Sequence, residues 1–227
     1  MTEISDWHLV QYLTEIVNQT EAAETHCDNY MAALKDVGNG ASLRAPIDQL
    51  FAAGQGILSA AAIVNQFLWI DTEPPKPREY EHFSDEQWAK LKLHAKARAK
   101  KLRKLLAAKD SSPLRARTVR NSLEHIDQRL DVRLLFGSTI FADRTVGPQN
   151  AIGVQNQDHT EINFRRIDPQ TSEFWVLAHS ASLGDLVDEM HRMSQIAQST
   201  IRTLSPGGQP AMSSPAASYT RSNNVAE

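Results

Sequence analysis

The sequence predicts a mainly α-helical protein of about five helices with one β-hairpin inserted before the last helix. Three observations carry this. Apolar residues recur at helical spacing through most of the first 135 positions and again from Leu183 to Ile196. Helix-start signals stand ahead of such stretches, as in Ser84 to Gln87 and at Ser182. Between them, about 138–180, short runs rich in Ile, Phe and Val replace the helical spacing.

The first helix is predicted from Asp6 to Leu34, with Leu9, Leu13, Ile16, Val17 and Met31 inward, and Gly38 and Gly40 ending the segment. A second begins at Pro46, a residue suited to a first helical turn, and runs through Ile47, Leu50, Phe51, Leu58, Val64 and Leu68 to Trp69. Gly54, Gly56 and the run Ala60 to Ala62 allow a neighbouring element to approach closely, which fits these glycines better than a phosphate loop does. Three prolines between Glu73 and Phe83 lack amide donors, so this stretch reads as a connector. Ser84-Asp85-Glu86-Gln87 has the form of a capping box, and a third helix follows with Trp88, Leu91, Ala95, Leu102 and Leu105 inward. Asp110-Ser111 breaks it. Ser112 before Pro113 restarts a fourth helix, expected to reach about Leu135.

Strands are expected over Thr160 to Asp168 and Glu173 to Ala178, joined by the turn Asp168-Pro169-Gln170-Thr171. The fifth helix carries Leu183, Leu186, Val187, Met190, Met193 and Ile196 behind Ser182 as N-cap. Residues 1–204 thus read as one domain, and 205–227, poor in large apolar side chains and rich in Pro, Gly and Ser, as a disordered tail.

Composition narrows the class of function. With 227 residues, 41% hydrophobic and 22% charged, the chain has the balance of a globular domain. One cysteine, Cys27, excludes an intramolecular disulfide and any multi-cysteine zinc site. An acidic N-terminal stretch and an apolar run, Ile57 to Ile70, broken by Asn65 and Gln66, argue for a cytoplasmic protein without a membrane span. The net charge of −3 conceals an asymmetry: Trp88 to Arg120 holds 12 of the 24 Lys and Arg residues and one of the 27 acidic residues, a net +11 that leaves −14 elsewhere. Such a segment attracts polyanions through counterion release, and it equally fits a solvated helix face.

On a wheel that advances about 100° per residue, Val119, Leu123, Ile126, Leu130 and Leu134 form one apolar stripe of the fourth helix. Arg120, Asn121, Glu124, His125 and Gln128 fall opposite. Asn121 and His125 are stacked neighbours four apart, with Arg120 and Glu124 in the adjacent row. The run Arg120-Asn121-Ser122-Leu123-Glu124-His125 resembles the signature of the HEPN superfamily, an arginine, a polar residue and a histidine after a short spacer. The resemblance spans about Asp6 to Leu135 plus the last helix, and leaves out the hairpin and the tail.

That resemblance implies an HEPN-like antiparallel helical bundle acting as a metal-independent endoribonuclease, with two copies of the motif meeting across a homodimer. His125 would move protons, Arg120 would hold the phosphate, Asn121 would orient the 2′-hydroxyl or the attacked phosphate, and Glu124 would orient Arg120 or His125. These residue types suit the task, because imidazole titrates near neutrality and a guanidinium fork binds phosphoryl oxygens in pairs. RNA would lie on Lys96, Lys100, Lys101, Lys104 and Arg117, drawn from the basic segment. Toxin or phage-defence roles, and with them an antitoxin or other protein partner, are typical of the superfamily. No cofactor is implied.

Competing readings stand beside this one. Arg120, Glu124, Asp127 and Asp131 also fit ordinary surface ion pairs, and the bundle could be a catalytically inactive protein-interaction or RNA-binding module. Asp185, Asp188 and His191 fit a solvated helix face better than a metal site. The Glu79 to His82 spacing falls in the proline-rich connector, and Cys27 beside His26 points away from it on a helix. Trp69 and Trp88 fit core positions better than base-stacking platforms.

Overall fold

The structure is a computed structural model and describes residues 4–38, 44–70, 78–116, 118–136, 142–148 and 164–205. It is mainly helical with a small four-stranded sheet. In chain order the elements are α1 (Asp6–Gly38), α2 (Arg44–Leu68), α3 (Asp85–Leu105), α4 (Thr118–Glu124), α5 (Ile126–Phe136), β1 (Thr145–Val146), β2 (Arg165–Asp168), β3 (Glu173–Val176), β4 (His179–Ser182) and α6 (Leu183–Leu204). Short 3-10 turns at Arg78–Tyr80 and Pro113–Arg115 precede α3 and α4. The expected tail beyond 205, the first part of the proline-rich connector (73–77, with its three prolines) and the first part of the expected first strand lie outside the described residues.

The core is a layer of α1, α2 and α6, with α3 packed on α2. Leu13, Ile16, Leu50, Ile57, Val64, Leu68, Met190 and Met193 are fully buried in it. Thr20, buried in α1, donates to the Ile16 carbonyl at 2.9 Å and to the Met190 carbonyl at 3.3 Å, linking α1 to α6 without leaving a polar group bare. In α1 the inward face ends on Tyr30 and Ala33, whereas Met31 is exposed; its helical position lies one residue off the buried stripe. By length and composition α2 is apolar enough to cross a membrane, more so than its interruption at Asn65 implies, but it is the helix on which α1, α3, α6 and the sheet converge.

The small residues of α2 act as the spacing predicts. A Cβ on Gly56 would stand 2.5 Å from the His26 ring of α1, and one on Gly54 would stand 2.8 Å from the Phe174 ring of β3. Close approach of neighbours on both sides therefore needs glycine at these two positions.

The capping box at the start of α3 is formed: the Ser84 hydroxyl accepts from the Gln87 amide at 3.2 Å and the Gln87 side chain accepts from the Ser84 amide at 2.8 Å. The inward face of α3 differs from the expected one. Ala99, Leu102 and Leu106 are buried, Trp88, Ala95 and Leu105 are half-buried, and Leu91 is exposed, because only the C-terminal half of the helix lies against the core. The helix also ends at Leu105, ahead of Asp110-Ser111, where Ala107 turns the chain with φ 49°. Trp88 stacks on Tyr80, with ring centroids 5.8 Å apart, and Trp69 is buried.

The hairpin is present and extended. β2 and β3 pair antiparallel, with Ile167 opposite Phe174, across a turn in which Asp168 accepts from the Gln170 amide at 3.0 Å. β4 adds to β3 through a two-residue turn with Leu177 at φ 55°, and β1 runs parallel to β2, in the order β1-β2-β3-β4. Ile167, Phe174 and Val176 are fully buried. Arg166, also buried, lies 4.7 Å over the Trp175 ring and donates to the Gly147 carbonyl at 2.9 Å, which holds β1 in place. The final helix begins as predicted, with the Ser182 hydroxyl accepting from the Asp185 amide at 3.2 Å.

Candidate functional site

The fourth predicted helix is in fact three pieces. Ser112 does not cap it; its hydroxyl donates to Glu189 Oε1 of α6 at 3.0 Å. Pro113–Arg115 forms one 3-10 turn, closed by Ala116 N to the Pro113 carbonyl at 3.2 Å, and Ala116 is then extended. The carbonyl of buried Leu114 accepts from Asn65 Nδ2 of α2 at 2.5 Å. A residue that interrupts the apolar run of α2 thus sets where the next helix starts. On its other side, Glu189 pairs with Arg192 at 2.7 Å, and Arg192 donates to the Leu106 carbonyl at 3.0 Å, closing the end of α3. The Arg192 and Ser112 bonds hold the Glu189 carboxyl below its ordinary range.

α4 follows, short and held by Val119, which is buried, and Leu123, which is half-buried against the core. Asn121 and Glu124 are exposed on it, and His125 is exposed at the junction with α5. The His125 amide still donates to the Asn121 carbonyl at 3.1 Å, so the two remain one helical turn apart. Arg120 lies within α4; its side chain is outside the described residues, as are those of Ser122, Asp127, Arg129 and Leu134. The apolar stripe does not continue into the core as the wheel implies. Past the break at His125, Ile126 and Leu130 are only half-buried, and Val132 and Leu135 are 60% and 74% exposed. Val132 and Leu135 fall on the polar side of the same wheel, with Asn121 and Gln128, so spacing already turns them outward; the break shows in Ile126 and Leu130, which the stripe would bury.

The predicted RNA-contacting residues divide. Lys96, Lys100 and Lys104 are exposed and lie four apart, one row along α3. Lys101 is half-buried and donates to the Ile4 carbonyl at 2.8 Å, which gives it a structural bond in place of a free charge. Arg117 lies outside the described residues. Two other cations of the basic segment also serve the fold: Arg103 donates to the Leu68 carbonyl at 2.8 Å, capping α2, and Arg98 to the Gln66 carbonyl at 3.1 Å.

Of the groups weighed as metal ligands, His191 bonds Glu24 Oε1 through Nδ1 at 2.6 Å and Gln195 through Nε2 at 2.9 Å, while Asp185 and Asp188 are exposed. Among the described residues no three His, Cys, Asp or Glu side chains are grouped to hold a metal ion. Burial and nearby acidic groups raise the Cys27 thiol, the opposite of what a nucleophile needs.

Two features escape the sequence reading. One is a crevice of about 30 Å³ between α2, α4 and β4, lined by Ala61, Asn65, Leu114, Thr118, Val119 and Ser180, with room for about two water molecules. The other is a chain of rings, Trp7, His8, His94 and Tyr12, where α1 meets α3. The sequence signal for the latter was faint, since its members are some 80 positions apart. Comparison with family models, with curated proteins and with solved structures gives no match to this chain.

Proposed function

We propose that this chain is an HEPN-like, metal-independent endoribonuclease acting at a homodimer interface, in the manner of a toxin or phage-defence effector of the cytoplasm. The observation that carries the reading is the presentation of Asn121, Glu124 and His125 together in solvent, on a short helix whose start is set by Asn65 and Leu114. A surface imidazole next to an amide and an arginine-bearing turn has the groups for proton transfer to and from a ribose and for orienting a phosphodiester. His125 takes the 2′-hydroxyl proton or protonates the leaving 5′-oxygen, and a second copy supplies the complementary step. Arg120 holds the phosphoryl oxygens, Asn121 orients the reacting group, and Glu124 orients Arg120 or His125. Lys96, Lys100 and Lys104 supply a cationic row for the strand. The apolar residues exposed on α5 give a second copy a surface to cover.

The test is incubation of purified protein with RNA in EDTA beside His125→Ala. The reading requires wild-type cleavage to 2′,3′-cyclic phosphate and 5′-hydroxyl ends and at least about 100-fold loss in the variant; equal cleavage by both proteins sinks it. The second reading, a catalytically inactive RNA-binding or protein-interaction module, is supported by the same basic row. It requires salt-sensitive binding by wild type and His125→Ala alike, with no cleavage.

A further inference from the structure

The first turn of α1 is fastened to α3 at two points. Ile4 is buried in the core and its carbonyl accepts from Lys101 Nζ at 2.8 Å. His94 makes the second attachment: its Nε2 bonds the Tyr12 hydroxyl at 2.9 Å, and its ring meets that of His8 edge-on at 5.5 Å. Within the turn, the Ser5 hydroxyl accepts from the His8 amide at 3.3 Å and lies 2.8 Å from His8 Nδ1, and the Leu9 amide donates to the Ser5 carbonyl at 2.9 Å. Leu9, like Ile4, is part of the core.

The surroundings of His94 disfavour a proton on it. One turn further along α3, Arg98 lies over the Tyr12 and Phe67 rings at 5.3 and 5.2 Å and donates to the Gln66 carbonyl of α2 at 3.1 Å, so these rings already hold a cation. α1 contributes His8 and Tyr12, α2 the uncharged Phe67, and Lys101 of α3 is bonded to Ile4. Asp6, on the same turn of α1, is exposed, and among the described residues no carboxylate is ion-paired with His8, His94, Arg98 or Lys101. A proton on half-buried His94 would add positive charge beside the Arg98 guanidinium, where charges are screened less than in open water. Burial, with His8 and Arg98 adding, accordingly holds this imidazole below its ordinary range.

We propose that His94 is a proton-sensitive latch: neutral, it keeps the first turn of α1 seated on α3, and protonated, it releases that turn, uncovering Ile4 and freeing Lys101. The open turn takes up the proton more readily than the closed one. Closure is therefore complete above the ordinary value of 6.5 and is lost as pH falls below it toward the lower, closed-state value. The latch operates whether or not the chain acts on RNA.

Amide exchange of the full chain, corrected for its intrinsic pH dependence, is the test. Between about pH 7.5 and about pH 5.5, protection at Leu9 and Tyr12 should fall several-fold, by about ten-fold at most for a single proton. Protection at Met190, fully buried in α6, should hold. In wild type the His94 ring resonances should titrate with the same midpoint as that loss. His94→Gln keeps a hydrogen-bonding group toward Tyr12 but cannot take the proton, and it should keep Leu9 and Tyr12 protected at both pH values. Four results overturn the latch: equal wild-type protection at both pH values, a different midpoint for the ring, an equal fall in His94→Gln, which would assign the response to another group, or a parallel fall at Met190, which would make it a loosening of the whole fold.

Discussion

Asn65 of α2 donates to the carbonyl of Leu114, 49 positions later in the chain, and this buried bond decides where α4 begins. The bond joins the one polar residue deep in α2 to the one turn that must be placed before Asn121 and His125 can reach solvent together. Replacing Asn65 with Leu leaves the Leu114 carbonyl buried and unpaired. Urea unfolding should show a loss of about 1–3 kcal/mol, and if α4 carries the reaction, RNA cleavage should fall even where the protein remains folded.

Glycines of α2 and α6 should respond oppositely to alanine. Gly54→Ala drives a Cβ to 2.8 Å from the ring of Phe174, which is fully buried and meets Phe51 at 5.6 Å, so it has nowhere to move. Overpacking of this kind costs about 1–3 kcal/mol. Gly184→Ala, on the open side of α6, meets nothing within 4 Å and should raise stability by about 0.5 kcal/mol by restricting the unfolded chain. Thermal melts of the two variants check both signs.

Glu189 should make stability depend on acid. Its carboxyl titrates below the ordinary 4.5 in the fold because Arg192 and Ser112 bond it, so the folded state favours the charged form. The contribution is complete above the unfolded value and disappears as pH falls through the lower, folded one. Glu189→Gln should therefore be less stable than wild type near neutrality, and the gap in urea midpoint should close as the solution is taken below pH 4.5.

Tyr30 should fail last in base. Its hydroxyl is buried, has no hydrogen-bond partner among the described residues, and is pushed up to about 12 by burial, with Asp168 and Cys27 adding. The folded state holds this proton longer than the unfolded chain does, so stability is full below the ordinary value of 10 and declines as pH rises toward 12. Tyr30→Phe should remove that decline and, by deleting an unpaired buried hydroxyl, leave stability near neutrality equal or higher by about 1 kcal/mol. Ultraviolet titration of the tyrosinate band beside circular dichroism reads both effects.

The row Lys96, Lys100 and Lys104 should set the salt dependence of RNA binding. Changing all three to Gln should lower the slope of log affinity against log salt by about 2, since each single-strand phosphate contact contributes about 0.7. Lys101→Gln should instead show its effect in thermal stability, because its ammonium is bonded to the Ile4 carbonyl.

Much of the helical framework was legible along the chain. Apolar spacing located α1, α2 and α6, the Ser84 and Ser182 caps started their helices as read, and Gly54 and Gly56 marked close approach. These are local signals, each written within a few residues. What went unread was decided elsewhere. β4, a run of His, Ser and Ala without alternation, is a strand because β3 lies beside it. Leu91 faces solvent in spite of its place in an apolar stripe, because the N-terminal half of α3 overhangs the core.

The same division holds at the candidate site. From its residues alone the chain determined that Asn121, Glu124 and His125 would share the polar side of a helix, since helical geometry depends on spacing and little else. Tertiary structure decided that this helix is short, starts four residues after Leu114, and gives way at His125, and that Ile126 and Leu130 beyond the break are only half-buried. Side chains remote in sequence, Asn65 and Glu189, claimed the backbone and the hydroxyl that a local reading had assigned to a continuous helix with its own cap. Such long-range hydrogen bonds outweigh local propensity because they satisfy groups that burial would otherwise leave unpaired.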